Sequence, residues 1–195
     1  MKRIVDWSLS QLSDEQLKIY KEIAEGPRGS VVGPLKVWLN NPKFAASAQE
    51  LGKYARYESS LPPILSELAI ITTGRYWYSH FEWEQHAPLA EKNGIKKKDI
   101  NKIANAIRPI FKEQKLQVVY DFSAEININK NVSDELYRKT YDLLFAAGKE
   151  NISRVLSIST LELFSEIESN LTVTENWEMK FLVILFMDML IQHPK

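Results

Sequence analysis

The chain has no cysteine among its 195 residues. That absence excludes disulfides, thiolate metal sites, thiol peroxidases and cysteine nucleophiles together. Helix breakers are also scarce, with seven glycines and eight prolines, and few of these fall inside the long segments of helical periodicity. Net charge is lacking too: 25 Lys and Arg balance 25 Asp and Glu, so no global field favours nucleic acid or an anionic membrane surface. Neither is there a long hydrophobic run. The stretch FLVILFMDMLI at 181–191 contains Asp188 and is about half the ~20 residues of a membrane-spanning helix, so it reads as a buried or subunit-facing helix. The opening MKRIVDWSLSQLSDEQ has no apolar run behind its basic residues, which predicts no export and a cytoplasmic location.

What is present points to one all-α domain over 1–195. The length suits a single sizeable core, and no repeat, linker or composition shift divides the chain. Ser13 and Gln16 have capping-box spacing and open a helix to about Ala24, which GPRGSVVGP at 26–34 ends. The short LKVWLNN follows, and Pro42 then starts the helix PKFAASAQELGKYARYES. LPPILSELAIITTG makes another, interrupted at Gly74, and the next runs to about Asn93 with Gly94 as its cap. Further helices are expected at 95–107, at 112–129, from Ser133 as N-cap to Gly148, at 151–170 and at 177–192. A helical bundle accommodates them.

The segment RYWYSHFEWEQH at 75–86 holds His80 and His86, the third histidine being His193. At ~100° per residue, Ser79, Glu82 and His86 share one helix face with Trp83 and Ala90. A carboxylate and an imidazole at i and i+4 reach each other, and in a desolvated cleft each tunes the other's proton affinity. The pair suits general acid–base chemistry; a buried structural ion pair is the alternative. His80 and Glu84 form a second pair, turned toward solvent or a neighbouring subunit. The spacing is not that of H-E-x-x-H and the two histidines diverge, so no metal and no cofactor are expected. Arg28, flanked by glycines in GPRGS, offers a fork of donors for a substrate carboxylate, or is a plain surface turn. No phosphate loop is present. KKKD at 96–99 reads as a solvated helix start, and with no basic stripe beside the aromatics nucleic-acid binding is not expected.

The run from GPRGSVVGPLKVWLNNPKFAASAQELGKYARYES through LPPILSELAIITTGRYWYSHFEWEQHAPLAEKNGI, with VYDFSAEI and VSDELY downstream, resembles the carboxymuconolactone decarboxylase family. The resemblance covers about 7–170; an extra C-terminal helix at 171–195 departs from it. It implies an alkylhydroperoxidase D-like helical bundle, assembled as trimers or hexamers, with the site near a subunit boundary. The family's peroxidase branch carries a glutamate, a C-x-x-C pair and a histidine. On this chain Glu67 matches the glutamate, Ser79 and Glu82 stand where the cysteines would be, and His86 matches the histidine. Peroxidatic chemistry needs one thiolate to attack and a second thiol to resolve, so that mechanism is closed here. The cysteine-less decarboxylase branch is similar in having a glutamate four residues before the histidine.

The resemblance therefore implies an acid–base enzyme of the decarboxylase or lyase type, acting on a small carboxylated or lactone compound. His86, Glu82, Glu67 and Ser79 are its catalytic candidates; Arg28, Arg75 and Trp83 are its substrate-binding candidates. The alternatives are thiol-independent peroxide defence and a non-catalytic oligomeric binding protein. A cavity beside Glu82 and His86 with room for a ring-sized ligand favours the acid–base and peroxide-defence readings together, whereas a filled core there weakens both.

Overall fold

Local chemistry sets the helix starts. The computed structural model describes residues 7–58 and 61–145, which form a short 3-10 turn at Leu9–Gln11 and eight α-helices, with no strand among the described residues. Helix α1 (Asp14–Glu25) begins at the expected capping box: the Ser13 hydroxyl accepts from the Gln16 amide at 3.3 Å, and the Gln16 side chain accepts from the Ser13 amide at 2.9 Å. The Gln16 amide group also donates to the Leu39 carbonyl at 2.8 Å, tying α1 to the end of α2 (Pro34–Trp38). Helix α3 (Pro42–Tyr57) starts with Pro42 in its first turn and Asn41 as N-cap.

Helix α4 (Pro63–Tyr76) is buried along nearly its whole length from Leu65 to Gly74. It is the central helix, packed chiefly on α5 (His80–Lys92) and α7 (Gln114–Asn129). The expected interruption at Gly74 does not occur. The helix runs on to Tyr76, and the break falls at Trp77–Ser79, where Tyr78 takes a φ of 57°. Gly74 faces α5 instead: a Cβ there would meet the Glu82 Cβ at 3.4 Å, an ordinary contact distance. Helices α6 (Lys97–Ala104) and α8 (Asp134–Phe145) complete the described chain, with α8 packed on α7. The expected end of α8 at Gly148, the helices at 151–170 and 177–192, and His193 lie outside the described residues. Among the described residues no helix is long and apolar enough to cross a membrane.

Two apolar clusters form. One joins α1, α2 and the first half of α3 through Ile19, Ile23, Leu35, Trp38, Ala45 and Ala48. The other, centred on α4, takes in Leu65, Leu68, Ile71, Ile103, Val119 and Phe122. Helix α3 enters both, since its Ala55 belongs to the second. At the seam, Gly33 (φ 53°) lies directly under the Phe81 ring, which any side chain at that position would strike. A left-handed φ and a ring pressed on the backbone together call for glycine.

Candidate functional site

Helix α4 presents Glu67 and helix α5 presents Glu82 and His86, and their close packing brings the three side chains together. His86 Nδ1 is 2.7 Å from Glu67 Oε2, and His86 Nε2 is 3.3 Å from Glu82 Oε2. All three are buried, at 7%, 6% and 4% exposure for Glu67, Glu82 and His86. An ionised carboxylate only accepts hydrogen bonds, so two of them about one imidazole favour the ring with a proton on each nitrogen. Burial opposes that cation. The hydrogen bonds to Glu67 and Glu82 and the charge of Glu67 outweigh burial, and the Arg56 charge works against them; the net result holds the His86 proton above its ordinary 6.5.

Beside this trio lies a cavity of about 140 Å³. Glu82 and His86 form part of its wall, whereas Glu67 stands behind the imidazole. The rest of the wall is largely apolar, with Val32, Leu35, Trp38, Ile70, Phe81 and Leu89, and carries two guanidinium groups, those of Arg28 and Arg56. The cavity straddles the seam, since Leu35 and Trp38 belong to one cluster and Ala55 and Ile70 to the other. Gly52 on α3 makes room for Arg28, whose guanidinium would collide with a Cβ at that position.

Four of the expected residues thus converge: Glu67, Glu82, His86 and Arg28. Three stand elsewhere. Ser79 is not on the α5 face but is its N-cap, with its hydroxyl toward the Glu82 amide at 3.4 Å; it sets the helix start rather than facing the cavity. Arg75 donates from Nε to the Ala104 carbonyl at 2.6 Å and lies 4.8 Å from the Tyr78 ring centre, so it braces α4 against α6. Trp83 packs on the α4-centred cluster and is not part of the cavity wall. His80 and Glu84 are exposed.

Arg56 and Phe81 are wall residues that reading the sequence misses. The available signal is on α3, where Ala45, Ala48, Gly52 and Ala55 mark a small-residue face for close approach, and Arg56 follows directly on it. Among the described residues no group of three acidic, histidine or cysteine side chains is placed to hold a metal ion. No protein-family model matches the chain, and no curated protein does.

Proposed function

We propose that this protein is an acid–base enzyme of the decarboxylase or lyase type, acting on a small carboxylated or lactone compound. The observation that carries the reading is the buried Glu67–His86–Glu82 arrangement with a cavity against its Glu82 side. Glu67, at Nδ1, fixes the ring and supports its positive charge, a role sequence spacing alone would give to Glu82. Glu82, paired with Nε2 and lining the cavity, can pass a proton between that nitrogen and a bound molecule.

In a decarboxylation the C–C bond to the carboxylate breaks, CO2 departs, and its electron pair stays on the substrate as an enolate. His86 supplies, by way of Glu82, the proton that forms the new C–H bond, and water returns one to the ring. The apolar walls strengthen the charge interactions within by excluding water. The likeness to the carboxymuconolactone decarboxylase family, with its alkylhydroperoxidase D-like bundle, belongs to this reading; the central α4 with Glu67 facing α5 supports it.

A screen of small carboxylated and lactone compounds, read as CO2 release or proton uptake, tests the proposal. Turnover found with the native chain is expected to fall roughly 10²–10⁴-fold in His86→Gln. Unchanged turnover in that variant would remove His86 from the chemistry.

A further inference from the structure

The cavity wall carries the cations of Arg28 and Arg56 and, between Glu67 and Glu82, the His86 ring. Arg28 also borders Glu22 and Glu50, so Arg56 is the wall cation to which a ligand carboxylate would turn, whereas a second carboxylate would be brought near Glu82. The Arg56 guanidinium stands 5.4 Å from the Tyr57 ring centre, and among the described residues no carboxylate pairs with it. Arg56 and the His86 ring line the same cavity, which puts the guanidinium fork within reach of a ligand held there.

Size and polarity narrow the ligand further. A cavity of about 140 Å³ matches the ~150 Å³ that accommodates a benzene ring in an apolar pocket. Val32, Leu35, Ile70, Phe81 and Leu89 offer it apolar surface. We propose that the cavity binds a small monocarboxylate with a ring-sized apolar body, and that Arg56 is the residue that fixes its carboxylate. This deepens the acid–base reading and rests on it for the identity of the reacting edge, choosing an anion over a neutral lactone. Arg56 holds the charged end by paired N–H donors, while the apolar body fills the seam between the two clusters.

The test is equilibrium binding to the full chain, with benzoate as the probe and benzamide as its neutral counterpart, followed by calorimetry. The native protein is expected to bind benzoate at least about tenfold more tightly than benzamide, and Arg56→Gln to lose about tenfold or more for benzoate alone. Arg56→Lys, which keeps the charge without the fork, should fall between them. Circular dichroism of each variant confirms that the helices persist. Equal benzoate affinity in native and Arg56→Gln proteins, no benzoate binding, or equal binding of benzamide each overturns the proposal. Because the readout is binding, turnover surviving in His86→Gln would sink the acid–base reading and leave this result standing, and the converse holds.

Discussion

At the scale of single residues, the proton on His86 decides how the site behaves with pH. Its folded-state affinity is raised above 6.5, so the imidazolium stabilises the fold fully below about 6.5, the unfolded value. That contribution is lost as pH rises through the higher folded value. Urea unfolding of native protein and His86→Gln should therefore differ most on the acid side of neutrality and converge as pH rises above the folded value. A difference that grows with pH would mean that the ring is held neutral. Removing Glu67 would act in the same direction, since it takes away the closest counter-charge and leaves burial to press the proton off. The residues of the trio were legible in the sequence, His86 and Glu82 from helical spacing and Glu67 from the family pattern. Their order was not. That Glu67 takes Nδ1 depends on how α4 packs against α5, which helical spacing within either helix does not specify.

At the scale of elements, α3 is where stability and activity pull apart. Alanine at an interior helical position is favoured over glycine by about 1 kcal/mol, so Gly52→Ala should hold or raise the denaturation midpoint. The same change drives the Arg28 guanidinium off its place over the backbone, and weaker turnover or ligand binding is expected in the more stable variant. A variant that gains stability with unchanged binding would show that Arg28 has no part in recognition. The helix itself was legible, since Pro42 and the recurring small residues announce it. Its use was not: Arg56 reads as one more cation in YARYES until it is found lining the same cavity as Phe81. Ser79 misled for the opposite reason. Counting it within a continuous helix puts it beside His86, whereas the chain breaks at Trp77–Ser79 and spends the hydroxyl on a cap.

At the scale of the whole molecule, the resemblance implies a trimer or hexamer, and the outer side of α3 carries a surface on which that expectation can be tested. Leu51, Tyr54 and Tyr57, at one-turn spacing, keep 48%, 44% and 41% of their surface exposed, a stripe suited to burial by another subunit. Light scattering of the full chain should give three or six times 22.6 kDa, and Tyr54→Glu or Tyr57→Glu should lower that mass; a monomer in the native protein would refute the assembly. The all-helical architecture was legible from end to end of the described residues, but the division of the core into two clusters was not, because hydrophobic periodicity marks buried faces without saying which faces meet. On the proposed reading, the charged fork precedes Glu58 and the acid–base trio follows Leu61, while the apolar wall draws on both stretches, Val32 and Leu35 from the first and Ile70, Phe81 and Leu89 from the second. A lineage of such chains could then retune how the charged end of its ligand is held through changes before Glu58, whereas refitting the apolar body would call for changes in both stretches.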